Sequence, residues 1–141
     1  TYVAEAAVKQ MIEAGQAPKK SKVVILGLTF KENCPDTRNS KVNDIIKHLN
    51  IYGITPVVVD AWASESDAMR EYGVKLTKLE DVHDADCVIV AVAHEEFKDM
   101  GLKGVKNLFK DVEDGEKVLI DVKGLYTVNE LKNSSLRWWR L

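Results

Sequence analysis

The sequence holds little that would staple, anchor or charge a chain. Its two cysteines, Cys34 and Cys87, form neither a C-x-x-C pair nor a disulfide framework, and Cys87 lies in an apolar run. That usage predicts a reducing, cytoplasmic setting. Long apolar stretches are also missing: runs such as Val23–Leu26 and Cys87–Ala93 fall far short of the ~20 residues a membrane-spanning helix needs. There is no excess of either charge, with 20 Lys and Arg against 22 Asp and Glu for a net charge of −2, so no global field draws the chain to nucleic acid or an anionic membrane. A soluble chain with neither partner is expected, and any anion site must be local. Three scattered histidines, His48, His83 and His94, and two distant cysteines give no metal-ligand spacing. No repeat, low-complexity tract or secretory leader is visible. The chain opens at Thr1 with what reads as a helix already under way, so it is expected to be part of something longer.

The 141 residues suit one domain, and 45% apolar with 30% charged residues is enough to fill a core and cover it. Val3, Ala7, Val8, Met11 and Ile12 recur at helical intervals within Tyr2–Ala14, and Gly15 stops that helix. A polar linker follows, so residues 1–21 read as helix plus linker and residues 22–141 as the domain proper. Val23–Leu28 reads as a buried strand, followed by a long polar loop broken by Pro35 and a helix that Ser40 should cap. Thr55–Asp60 is a second strand, Ser64–Tyr72 a Ser-capped helix, Val74–Leu76 a strand-like segment and Leu79–Val82 a short helix. Cys87–Ala93 and Lys117–Val122 are apolar strands flanking helical turns over 95–108 that Gly101 and Gly104 interrupt. Apolar strands alternating with helices predict a doubly wound, Rossmann-like α/β domain, a parallel sheet with helices on both faces preceded by one helix. The tail Leu136–Leu141, with Trp138 and Trp139, is expected either to dock on its own domain or to meet another.

Ligands of open parallel sheets gather at the carboxyl ends of the strands. There the sequence places Phe30, Lys31, Asp36, Arg38 and Lys41 after the first strand, Asp60 after the second, His94 after the third, and Lys123 and Gly124 after the last. Lys31, Arg38 and Lys123 are cations that such a sheet would bring to one edge, near a helix N-terminus whose free N–H groups also favour an anion. Phosphate or pyrophosphate is the expected ligand. Gly27-Leu-Thr-Phe-Lys31 is neither the G-x-G-x-x-G dinucleotide fingerprint nor a Walker A loop, which excludes a P-loop NTPase and a dinucleotide held in the usual way. Cys34 has no base defined by sequence and reads as a loop thiol. His94 reads equally as a ligand-edge residue or a hydrogen-bonded structural one.

The run Lys22-Val-Val-Ile-Leu-Gly-Leu-Thr-Phe-Lys-Glu-Asn-Cys-Pro-Asp-Thr-Arg-Asn-Ser40 resembles the opening of the C-terminal, UDP-binding domain of the UDP-glucose/GDP-mannose dehydrogenases, with its G-hydrophobic-x-F-K and D-x-R pattern. Val59-Asp60, Val90-Ala-Val-Ala-His-Glu-Glu-Phe97 and Ile120-Asp-Val-Lys-Gly-Leu-Tyr126 extend the resemblance over about residues 22 to 141, and Tyr2–Ala14 resembles the end of the family's central helix. The ending looks most like the branch that oxidises UDP-N-acetylhexosamines for bacterial surface polysaccharides. The resemblance implies a four-electron oxidation of a UDP-sugar C6 alcohol to the uronic acid with two NAD⁺, through a thioester on a cysteine that lies, with the Rossmann fingerprint, in N-terminal and central parts outside this chain. It therefore implies no catalytic residue here and no activity for this chain alone. Phe30 and Lys31 match the F-K that contacts the UDP-sugar, and Arg38 matches the arginine that reaches across the interdomain cleft to the NAD pyrophosphate. Lys123 stands where several relatives carry arginine, a point charge in place of a planar fork. The implied partners are the UDP-sugar, the NAD-binding and central domains, and a second copy in a homodimer.

Two other readings compete with this one. A non-catalytic regulatory α/β module would use the same cations for an effector. A receiver-like domain would use Asp60 as phosphoacceptor with Lys123 beside it, but it wants acidic residues after the first strand, where this chain is cationic.

Overall fold

The structure, a computed structural model, describes residues 2–141. Its elements are α1 (Tyr2–Glu13), β1 (Val23–Leu26), α2 (Val42–Ile51), β2 (Val57–Val59), α3 (Glu65–Tyr72), β3 (Cys87–Val90), α4 (Glu95–Lys106), β4 (Val118–Asp121), α5 (Val128–Asn133) and β5 (Arg137–Arg140), with single 3-10 turns at Pro18–Lys20, Leu79–Asp81 and Asp114–Glu116. The strands form one sheet in the order β2-β1-β3-β4-β5, and every neighbouring pair is parallel. This is the doubly wound α/β architecture that the alternating pattern predicts. β1, β3 and β4 are buried at every position, which is why they read as continuous apolar runs rather than alternating ones.

Each strand feeds two cores. On one face Ile25, Ile89 and Ile120 pack with Ala7 and Met11 of α1, Ile45 and Leu49 of α2 and Ala68 of α3. On the other, Leu26, Val88 and Leu119 pack with Phe97 and Val105 of α4 and Leu131 of α5. The crossover from β1 to β2 runs outward through α2, whereas those from β3 onward run the opposite way through α4 and α5. Right-handed connections in opposite directions lie on opposite faces, so the α2 face over β3 to β5 would stay bare. Helix α1 fills that space, touching β3, β4 and β5 as well as α2.

Local signals explain most element ends. Ser64 caps α3 as expected, accepting the Asp67 N–H at 3.2 Å. Ser40 does not cap α2: the helix begins one residue later, and Ser40 Oγ accepts the Val42 N–H while donating to the Leu28 carbonyl at 2.5 Å. It thus ties the start of α2 to the exit of β1. Val74–Leu76 forms only a single bridge, Leu76 to Val58. Gly101 breaks α4 with φ 63 and ψ −179, whereas Gly104 stays helical. The tail docks on its own domain as β5, with Trp138 packed against one core and Trp139 against the other, where Tyr2 meets it edge-on at 5.5 Å. No helix among the described residues is long and apolar enough to cross a membrane.

Candidate functional site

Crossovers leave β1 in one direction, toward β2, and leave β3 in the other, toward β4, so the carboxyl ends of these two strands bound the crevice where open α/β sheets take ligands. Gly27 shapes that crevice. It turns the chain at φ +107, and a Cβ built there would lie 2.5 Å from Val92 Cβ and 2.9 Å from Val92 N. Only glycine lets the exits of β1 and β3 pass this closely.

A groove of about 590 Å³ opens over this point. Thr29, Phe30 and Lys31 line it from the loop after β1, Ala91 and Val92 from the loop after β3, Val122 and Lys123 from the loop after β4, and Lys41, Val42, Asp44 and Ile45 from the start of α2. Apolar side chains make up much of its wall, and Lys31, Lys41 and Lys123, all exposed, supply positive charge. Lys41 is the N-cap of the ten-residue α2, whose Val42 N–H is taken by Ser40 Oγ and whose first turn carries Asp44, so the helix end attracts an anion through its dipole more than through free N–H groups. Phe30 is half exposed, an apolar plate at a polar groove.

The sequence places Lys31, Arg38 and Lys123 at one edge, and the groove unites only Lys31 and Lys123. Arg38 lies outside it, with 77% of its side chain exposed and its Nε 3.0 Å from Asp36 Oδ1. The pair holds itself: hydrogen bonds from the Arg38 side chain and backbone hold the Asp36 carboxyl below its ordinary range, and Asp36 raises the guanidinium in turn. Lys41 takes the third place in the groove. The sequence places Lys41 at the same edge, after the first strand, but not among the three cations expected to share the anion site.

Beneath the loops sits Asp60, 4% exposed. Its Oδ2 accepts the N–H groups of Leu28 at 2.6 Å and Thr29 at 3.0 Å, its Oδ1 those of Trp62 at 2.8 Å and Ala63 at 3.1 Å, and His94 Nε2 approaches Oδ2 at 2.9 Å. Desolvation pushes the Asp60 carboxyl upward, but the bonds from His94, Leu28 and Thr29 outweigh it and hold the group below the usual carboxylate range. Asp60 therefore has no free oxygen to take a phosphoryl group, which removes the receiver reading. Nor can it bind a ribose hydroxyl, as the acidic residue ending the second strand of a dinucleotide fold does. With Gly27 packed against Val92, the domain's own crevice does not fit NAD in the Rossmann manner.

Asp121, fully buried at the end of β4, accepts the N–H groups of Leu125 at 2.9 Å and Tyr126 at 3.0 Å and so folds the loop that presents Lys123. Burial raises the Cys87 thiol well above its ordinary value, leaving it an unreactive core residue. Among the described residues no group of His, Cys, Asp and Glu could hold a metal ion.

Residues 24–128 match the UDP-glucose/GDP-mannose dehydrogenase family, UDP binding domain. The chain is 42% identical over 132 residues to the UDP-N-acetyl-D-glucosamine 6-dehydrogenase of Pseudomonas aeruginosa, a match covering 94% of the chain and 30% of that protein. To the UDP-N-acetyl-D-glucosamine 6-dehydrogenase of Salmonella typhi it is 40% identical over 123 residues, 86% of the chain and 28% of the relative. The chain thus spans under a third of the curated relatives it matches. Among solved structures, NDP-N-acetyl-D-galactosaminuronic acid dehydrogenase from Methanosarcina mazei Go1 superimposes with a TM-score of 0.82 at 19% identity, over 99% of this chain and 28% of that one. The likeness in fold, the F-K and D-x-R residues at the groove and beside it, and the match over 24–128 converge: the chain belongs to the UDP-glucose/GDP-mannose dehydrogenase family, as its UDP binding domain.

Proposed function

We propose that the chain is the part of an NAD-dependent UDP-sugar 6-dehydrogenase that holds the nucleotide end of its substrate. The observation that carries this reading is the convergence of Lys31, Lys41 and Lys123 on an apolar-walled groove at the switch point of the sheet. A nucleoside diphosphate needs these features together: cations and helix N–H groups for the phosphates, an apolar wall and an aromatic plate for the base. Lys31, Lys41 and Lys123 neutralise the diphosphate, Phe30 packs on the uridine or sugar, and the α2 N-terminus adds its dipole. Arg38, oriented by Asp36, reaches outward to the NAD pyrophosphate on a facing domain.

The names of the relatives point to a UDP-N-acetylhexosamine, whose C6 alcohol the whole enzyme oxidises to the uronic acid in bacterial surface-polysaccharide synthesis. Hydride acceptance and the thioester chemistry belong to NAD and to parts of the enzyme outside this chain. This chain binds, orients and, as the facing domain closes, helps exclude water. It carries no catalytic residue and is inactive alone. Residues 1–21 are the end of an interdomain helix with its linker, and residues 22–141 the UDP-sugar domain of a cytoplasmic enzyme that pairs as a homodimer.

Calorimetric titration of the chain with UDP and with NAD⁺, at low and moderate salt, tests the reading. UDP binding that weakens with salt, without NAD⁺ binding, is the expected result. A chain that takes up NAD⁺ but no UDP overturns it.

A further inference from the structure

The loop that presents Phe30 and Lys31 is fastened from below by one side chain. His94, immediately before α4, is fully buried, with Trp62 stacked on its ring at 6.0 Å and Phe97 tilted against it at 5.6 Å. The Asn33 N–H donates to His94 Nδ1 at 2.9 Å. A ring nitrogen that accepts a hydrogen bond carries no proton, so the imidazole proton is on Nε2. That nitrogen faces Asp60 Oδ2 at 2.9 Å and Thr29 Oγ1 at 3.1 Å. Thr29 Oγ1 spends its own proton on the Lys31 carbonyl at 3.0 Å, so toward His94 it can only accept. Every proton in the cluster then has one direction: Asn33 N–H to Nδ1, Nε2–H to Asp60 and Thr29, Thr29 O–H to Lys31.

The loop has further ties around this centre. Asn33, in the left-handed region at φ 54, accepts the Glu95 N–H through its side chain at 2.9 Å, and the Phe30 N–H closes onto the Asp36 carbonyl at 2.7 Å. Phe30 and Lys31 thus lie between two attachments to the same imidazole, Thr29 before them and Asn33 after them. The Thr29 attachment needs a proton on Nε2 and the Asn33 attachment a bare Nδ1, and only the neutral Nε2–H tautomer offers both.

We propose that His94 is the positioning residue of the groove: as a neutral Nε2–H imidazole it holds the Phe30–Lys31 segment in place through Thr29 and Asn33, and so sets the affinity for a uridine diphosphate group it does not itself touch. The proposal rests on the reading of the groove as a UDP site. It makes the histidine at the N-cap of α4 part of the binding apparatus, although it is sealed from the ligand.

The test uses the 141-residue chain with three readouts: UDP affinity by calorimetry, hydrogen exchange of the loop amides, and the ¹⁵N spectrum of the imidazoles. Thr29→Val keeps the approximate shape of the side chain and removes its hydroxyl, ending both the bond to the Lys31 carbonyl and the acceptance from His94 Nε2, while the Asp60 contacts that hold the fold remain. It should weaken UDP binding at least about fivefold and speed exchange of the amides from Phe30 to Asn33 about tenfold or more, whereas Thr29→Ser, which keeps the hydroxyl, should stay within about twofold of the parent. His94→Gln keeps a donor toward Asp60 but moves its acceptor oxygen off the Nδ1 position that Asn33 uses, and should loosen the same amides and weaken UDP binding by a similar factor. The ¹⁵N shifts of His94 should show a protonated Nε2 and a bare Nδ1. Unchanged loop exchange and UDP affinity in Thr29→Val, or a proton on Nδ1 of His94, overturns the proposal. If the parent chain takes up no UDP, it is the reading of the groove that falls, and the exchange data alone then decide whether His94 holds the loop.

Discussion

Two buried aspartates stand at the carboxyl edge of the sheet, Asp60 after β2 and Asp121 at the end of β4, and they do different work with the same chemistry. Asp121 accepts N–H groups from Leu125 and Tyr126, only a few residues further on, and folds a local turn. Asp60 gathers Leu28 and Thr29 from the exit of β1, Trp62 and Ala63 from its own loop, and His94 from the exit of β3. One carboxylate shapes the loop bearing Lys123; the other sets the relative positions of three loops and, through them, the groove. The difference teaches that a buried charge is kept where several N–H groups must be satisfied at once and no single backbone carbonyl could reach them all.

The sharpest way to break this comparison is to remove each carboxylate. Asp60→Ala leaves four amide donors without an acceptor in a buried place and the His94 N–H with Thr29 alone, and should destabilise the domain by about 4 kcal/mol or more in denaturant unfolding. The same carboxylate fixes a pH dependence. Because its pKa is lower folded than unfolded, its contribution is fully present above the ordinary value of about 3.9 and is lost as pH falls through the lower folded value. Acid unfolding monitored by circular dichroism should therefore carry a component below that pH which Asp60→Asn abolishes.

Gly27→Ala tests the close approach that the Asp60 network frames. A Cβ there meets Val92 backbone and side chain at a positive φ, and the cost should be about 2–4 kcal/mol of stability, read in the same unfolding assay. Asp121→Asn replaces one acceptor oxygen by a donor facing an N–H group. Its cost should be about 1–3 kcal/mol, less than at Asp60, with only the Lys123 loop loosened in hydrogen exchange. An equal cost at the two sites would erase the distinction between a local and a long-range role.

The groove itself can be probed without touching the fold. Lys31→Ala should weaken UDP binding by about 1.5–3 kcal/mol, if the ammonium makes a charge-assisted hydrogen bond to phosphate, while leaving the unfolding midpoint unchanged. Arg38→Ala, outside the groove, should leave UDP affinity within about twofold. A large loss there would place the diphosphate against Asp36–Arg38 instead of the three lysines.

Much of the fold was legible because β1, β3 and β4 are buried on both faces and so read as unbroken apolar runs. Ser64 before α3 and the glycines after α1 and α2 were legible for the same kind of reason, since they answer local backbone needs. The carboxyl terminus was not. Thr127-Val-Asn-Glu130 is a capping box at the head of α5, a signal present but passed over in a six-residue helix too short to show periodicity. Arg137-Trp-Trp-Arg140 lacks the continuous apolar character of the other strands because β5 is a sheet edge, paired on one side only.

At the site, Phe30, Lys31 and Lys123 could be chosen from position after a strand, and Arg38 from its motif. That Lys41 rather than Arg38 completes the groove depends on the single-residue shift at the start of α2, where Ser40 Oγ bonds to Leu28. His94 could be narrowed to the ligand edge but no further, because its partners Asn33, Thr29 and Asp60 lie 61, 65 and 34 residues away.

The sequence by itself determined the class of fold, the strand ends to which ligands come and the residue types gathered there, because burial on two faces and backbone capping are local demands written in local pattern. Which cations share a groove, which aspartate is consumed by structure and which histidine holds a loop were decided only by the tertiary structure. Hydrogen bonds and charges act over a few ångströms of space, and only folding makes residues tens of positions apart into neighbours at that distance.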